Sequence, residues 1–144
     1  MQFVTRKRDI VNFSSPQEMY DDYKNRSING IQDYQSKMLD LYMKEGLDKS
    51  DVAIELPTGT GKTLIGLLIG EYRRRKFHER VVYVCPTKQL VYQTATYAIE
   101  KYGIKVGGIH DEKIMDCVGE ATVIFRRDRF PVRQNVFPQL IIIG

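Results

Sequence analysis

The stretch ELPTGTGKTLIG at residues 55–66 constrains the fold of this 144-residue chain more than any other. The apolar run Val52–Leu56 leads into it and reads as a buried strand ended by a proline and glycine turn. Out of it runs KTLIGLLIGEYRRRK, a helix apolar nearly all round, which calls for burial against a sheet. Gly66 and Gly70 lie one turn apart on that helix. In a helix interior each glycine costs about 0.8–1 kcal/mol relative to alanine, so the pair argues for a close-packed neighbour.

Between strand and helix, Pro57, Thr58, Gly59, Thr60, Gly61, Lys62 and Thr63 match the phosphate loop G-x-x-x-x-G-K-[ST] from its second position onward, with Leu56 at the first. Gly59 and Gly61 let the backbone fold tightly enough for successive N–H groups to converge on phosphate oxygens. The helix N-terminus adds its positive dipole end. Lys62 neutralises the outer phosphates and the Thr63 hydroxyl is a magnesium ligand, so these two residues take part in the chemistry.

The rest of the chain predicts an α/β fold. In SSPQE, Ser15 is an N-cap, Pro16 opens a short helix and Glu18 completes a capping box. A second helix from about Ile31 puts Tyr34, Met38, Leu41 and Tyr42 on one face, which reads as core, and Gly46 suits its stop. RVVYVCP is a second buried strand. TKQLVYQTATYAIEKYG is a helix with Leu90, Thr94, Ala98 and Tyr102 in one row and Val91, Ala95 and Ile99 in the next. Strand, helix, strand, helix implies a parallel sheet with crossover helices. IKVGGI, ATVIF and QLIIIG read as three further strands.

LPTGTGKT resembles the ATP-binding loop of superfamily 2 helicases, the DEAD/DEAH-like and restriction-type DExx-box ATPases. VVYVCPTKQLVYQ is similar to their motif Ia, whose loop and helix start touch the sugar-phosphate backbone of one nucleic-acid strand. The resemblance makes Pro86, Thr87, Lys88 and Gln89 nucleic-acid contacts, with Gln93 in support. Phosphate contacts of that kind position a strand without reading its sequence. GIQDYQSKML resembles the segment whose glutamine reads the adenine edge, which would be Gln35. The arginine usual three residues before it is Gln32 here.

These motifs imply a parallel-sheet RecA-like phosphate-loop domain over 31–144, preceded by a helical extension over 1–30. They imply ATP and Mg²⁺ as cofactors and nucleic acid as partner, with DNA favoured over RNA and the choice between them left open by the sequence. The family continues with a buried strand ending in Asp-Glu. QLIIIG looks like that strand and reaches Gly144 where the Asp is expected, so the domain reads as incomplete at its C-terminus. Another domain or chain would then supply the DExx motif and the second lobe, and a non-catalytic or trans-acting nucleotide-binding module is the alternative. Further strands complete the family's sheet, one of them between the phosphate-loop strand and the DExx strand.

Other polar clusters read as structural. Asp111 and Glu112 suit a helix start, RRRK at 73–76 a helix C-terminus, and Arg126, Arg127, Arg129 and Arg133 solvated charge. Cys85 and Cys117 have no metal-binding or CxxC spacing and read as free thiols. A small-molecule kinase would leave PTKQLVYQ unexplained. A hydrophobic fraction of 42% without a membrane-length apolar stretch or a signal-peptide pattern suggests a cytoplasmic globular protein, and a net charge of +4 suits a polyanionic partner.

Overall fold

The computed structural model describes residues 13–23, 30–56, 61–107, 122–126 and 140–143, the last two segments and residue 107 by backbone alone. Of the residues singled out above, Pro57 to Thr60, Asp111, Glu112, Cys117, Arg127, Arg129 and Arg133 lie outside this set.

Helix α1 spans Pro16–Asp21, with extended Ser15 accepting a hydrogen bond from the Glu18 N–H at 3.2 Å. The reciprocal half of the predicted box is displaced by one residue. The Glu18 carboxylate accepts from the N–H and hydroxyl of Ser14, each at 3.0 Å, rather than from Ser15.

Helix α2 spans Asp33–Leu41 and runs directly into a π turn, Tyr42–Gly46. Its buried face matches the one the apolar spacing predicts only in part: Tyr42 is buried and Met38 packs against the core. Gln35, Leu39, Tyr42 and Gly46 are buried, whereas Tyr34 and Leu41 are exposed. A polar residue, Gln35, is drawn inward by tertiary contact, and the inward face rotates with it. Gly46 does mark the end of the helical run, through close approach. A Cβ there would lie 2.8 Å from Tyr42 Cδ2 and 3.3 Å from Val52 Cγ2.

Helix α3 spans Lys62–Phe77 and is buried at Leu64, Ile65, Leu67, Leu68, Ile69, Gly70, Glu71 and Tyr72, as its all-round apolar character requires. After three connecting residues strand β1, Val81–Cys85, begins, and it is buried at every position. So short a connection makes α3 run antiparallel to β1, with its N-terminus at the strand's carboxyl end. Helix α4 spans Lys88–Glu100. It closes on left-handed Gly103, φ 66°, with the Ile104 N–H returning to the Ala98 carbonyl at 2.7 Å. Its inward side is Val91, Thr94, Ala95 and Ala98. Leu90 and Ile99, predicted in the same rows, lie 39% and 54% exposed at the margins.

Strands β2 (Val106–Gly107), β3 (Thr122–Arg126) and β4 (Leu140–Ile143) join β1 in one sheet of order β2-β3-β1-β4. All three pairings are parallel, with Tyr83 beside Ile124 on one side and Ile142 on the other. Among the described residues of IKVGGI, Val106 and Gly107 join the ladder. Residues 52–56, expected as the phosphate-loop strand, form no strand, and Val52 is 44% exposed. An apolar run becomes a strand only where a neighbour takes up its N–H and C=O groups. Among the described residues no segment pairs with it, and β4 rather than the phosphate-loop segment flanks β1.

One core joins Phe13, Met19 and Tyr20 to α3, the inner face of β1 and α4. The basic run 73–76 falls at the C-terminal end of α3, as its reading as a helix C-terminus expects, and its side chains also make tertiary contacts. Arg73 holds Glu79 through two bonds, 2.6 and 2.8 Å, and donates to Tyr42 Oη at 2.9 Å and the Leu47 carbonyl at 3.1 Å. Arg74 pairs with buried Glu71 at 2.9 Å, Arg75 lies 4.8 Å from the Phe13 ring centroid, and Lys76 donates to the Phe13 carbonyl at 3.0 Å.

Candidate nucleotide and nucleic-acid site

Two groups of predicted site residues emerge from the same end of the structure. The first is the start of α3. Gly61 has φ 74°, in the left-handed region that favours glycine, and its carbonyl accepts from the Ile65 N–H at 3.4 Å. A Cβ at Gly61 would collide with the Gln35 amide nitrogen, so the glycine packs directly against that side chain. Gln35 is 5% exposed, and its Oε1 accepts from the Gln32 N–H at 3.0 Å, fixing the amide at the start of α2. Residues 27 positions apart in sequence, Gln35 and Lys62, therefore flank one glycine turn.

Lys62 opens α3 and is exposed; Thr63 follows, half-buried. No acidic side chain lies in the first turn of α3, so its positive dipole end is not neutralised locally. A glycine cradle, a helix N-terminus and an exposed lysine fit an anionic phosphate group. No cluster of three or more His, Cys, Asp or Glu able to hold a metal occurs among the described residues. Magnesium here would depend on Thr63 and on the phosphates themselves, the mode in which this ion is held largely through substrate oxygens.

The second group leaves the carboxyl end of β1. Pro86, Thr87, Lys88 and Gln89 are all exposed. Thr87 caps α4, its hydroxyl accepting from the Leu90 N–H at 3.2 Å. A threonine hydroxyl keeps its proton for donation when it accepts in this way, so capping leaves Thr87 able to bond a phosphate oxygen. Lys88 Nζ lies 6.0 Å from the Tyr92 ring centroid. Gln93, one turn beyond Gln89 on the same face, turns along the helix to Tyr97 Oη at 3.4 Å. Because α3 runs antiparallel to β1, the Lys62 end of α3 and the Pro86–Gln89 loop share the carboxyl edge of the sheet. Ligands of open α/β sheets are held at that edge.

The sequence reading passes over one residue that faces this site. Tyr83, on the inner face of β1, is 4% exposed and its phenol meets the Thr63 side chain. Burial, with the neighbouring Cys85 adding to it, pushes the phenol up to about 12, and the Thr63 hydrogen bond draws it partly back. The signal was present: a tyrosine in an otherwise aliphatic strand carries a hydroxyl that needs a partner. Burial also raises the Cys85 thiol, whose sulfur lies 3.6 Å from Thr94 Oγ1, so this cysteine stays a protonated core residue.

Among the described residues no helix is long and apolar enough to cross a membrane. Neither a curated protein nor a solved structure matches the chain. Residues 13–122 match the family model described as type III restriction enzyme, res subunit. The chain therefore belongs to that family, whose module is a DExx-box helicase-like, RecA-type ATP-binding domain of superfamily 2.

Proposed function

We propose that this chain binds MgATP and single-stranded nucleic acid, DNA in preference to RNA, as part of a helicase-type ATPase that moves along nucleic acid. The observation that carries the reading is the convergence of Gly61, Lys62 and the Gln35 amide on one helix N-terminus. In this reading Pro57 to Thr60 complete the phosphate cradle, Lys62 neutralises the outer phosphates and Thr63 offers its hydroxyl to magnesium. Gln35 presents its amide, with donor and acceptor atoms, beside the base. Thr87 and Lys88 grip a strand's phosphates, supported by Pro86, Gln89 and Gln93.

Bound MgATP supplies the phosphoanhydride that water cleaves. Orientation of that water and stabilisation of the charge it develops require an acidic pair and arginines, which the resemblance places after β4 and on a second lobe. Loss of a general base costs about 10² to 10⁴ in rate and loss of an arginine finger about 10³ to 10⁵. Turnover is therefore expected only where those groups stand beside the bound phosphates.

The test is equilibrium binding of a fluorescent ADP analogue, with steady-state ATP hydrolysis measured with and without single-stranded DNA. Binding by the wild type, lost at least tenfold in Lys62→Ala with an unchanged circular dichroism spectrum, is the expected outcome. Equal affinity in the two proteins would sink the assignment.

A further inference from the structure

Helix α4 carries an aromatic ring that its packing does not use. Val91, Thr94, Ala95 and Ala98 form the buried side of the helix, and Tyr92 stands outside it, 44% exposed. Lys88 is four residues earlier, hence one turn away on the same stripe, with its Nζ 6.0 Å from the Tyr92 ring centroid. We propose that Tyr92 is a base-stacking residue for single-stranded nucleic acid: a strand whose phosphate is held at Thr87 and Lys88 lays the adjoining base on the Tyr92 ring. This rests on the nucleic-acid reading above and deepens it, because stacking adds a contact to the base where Thr87 and Lys88 reach only the backbone.

The second exposed-side tyrosine of the helix shows what an internal role looks like. Lys101 Nζ sits 4.0 Å from the Tyr97 ring centroid, and Gln93 Nε2 lies 3.4 Å from the Tyr97 hydroxyl. The Tyr97 ring also packs against the core. At Tyr92 the lysine stands at the outer limit of cation–π attraction, which leaves room for a base to lie on the ring.

The surroundings of Tyr92 suit a nucleotide better than an apolar protein partner. Its neighbours on the exposed side of α4 are Lys88, Gln89, Gln93 and Thr96, all exposed and all polar, so the ring is a single apolar plate in a polar rim. A base matches that pattern, with a π-face for the ring and polar edges for the rim. The helix has no carboxylate before Glu100, its last residue, so along its first three turns the charge it presents is that of Lys88, complementary to phosphate.

The experiment measures binding of the 144-residue chain to a labelled oligothymidylate and to an abasic strand of equal length, with a thermal melt and a size-exclusion profile of each protein. Tyr92→Leu is expected to weaken binding of the oligothymidylate about tenfold, the order of one base stacked on an aromatic ring. Its affinity for the abasic strand, its salt dependence and its melting temperature should stay at wild-type values, and Tyr92→Phe, which keeps the ring, should bind as wild type does. The chain contains no tryptophan, so Tyr92→Trp places a single indole at the contact, and its fluorescence should be quenched by the oligothymidylate and not by the abasic strand. A Tyr92→Leu variant that keeps the wild-type preference for the base-bearing strand overturns the inference. So does one that melts lower and loses both strands alike, the signature of a purely structural tyrosine. A wild-type dimer that Tyr92→Leu dissociates would assign the ring to a second copy of the chain and overturn it as well. A wild type that binds neither strand instead refutes the nucleic-acid reading itself, whereas one that binds both strands equally refutes only the stacking role of Tyr92.

Discussion

Arg73 shows how one side chain can decide the geometry of a helix terminus. Its guanidinium bonds Glu79 through two nitrogens and at the same time reaches Tyr42 Oη and the Leu47 carbonyl. The π turn, the loop before β1 and α3 are thereby fixed to one planar fork, with Arg73 and Glu79 only 16% and 19% exposed. Lysine carries the same charge but cannot span these acceptors from a single point. Arg73→Ala is expected to lower unfolding free energy by about 2 kcal/mol, less than the 3–5 of a fully buried pair because water still reaches this one. Arg73→Lys should recover under half of that loss. Urea unfolding checks both, with the midpoint moving and the slope constant. Recovery by lysine to wild-type stability would show that charge alone, rather than the fork, holds the junction.

The helices gave up their existence to sequence reading more readily than their neighbours. α3 and α4 were legible because their signals are local: a glycine turn before Lys62, a capping Thr87, an apolar run of helical period, and Gly103 closing the second of them. The α2 face was legible only in part: Met38 and Tyr42 turn to the core as their spacing predicts, whereas buried Gln35 lies against a glycine 26 positions away. The roles of 73–76 were hidden for the same reason, since their partners include Phe13, Tyr42 and Glu79. Residues 52–56 read as a strand from composition, but pairing is a property of the sheet. The end of α3 carries a prediction at this scale. His78 caps the helix in the left-handed region at φ 56°, where a side chain costs about 1 kcal/mol, and it is exposed. His78→Gly should remove that strain and raise the melting temperature by a few degrees, the equivalent of about 0.5–1 kcal/mol. A lower melting temperature would show that the imidazole makes a stabilising contact that outweighs the backbone strain.

At the scale of the molecule, the N-terminal segment and the phosphate-loop helix form one packed unit. α1 lies along α3, and the contacts between them mix apolar burial with polar ties that neither segment can satisfy alone. Met19 and Tyr20 are fully buried, and the Phe13 ring meets Tyr72 at a tilt, 5.9 Å between centroids, while the Tyr72 hydroxyl donates to the Ser14 carbonyl at 3.2 Å. Tyr23 Oη lies 3.4 Å from the buried Glu71 carboxylate, while Gln17 reaches Asp40 of α2 at 2.8 Å. Removing residues 1–30 would expose the apolar back of α3 and leave Glu71 with fewer partners. Burying Phe, Met and Tyr side chains is worth about 1.5–3 kcal/mol each, so the three here together are comparable to the whole stability of a domain at about 5–15 kcal/mol. A chain of residues 31–144 is therefore expected to lose cooperative thermal unfolding and with it nucleotide binding, although every residue of the candidate site is retained. The Lys62→Ala variant should do the reverse, losing nucleotide while keeping its unfolding transition. If the shortened chain bound the ADP analogue with wild-type affinity, α1 would be an appendage to the site rather than the support of its central helix.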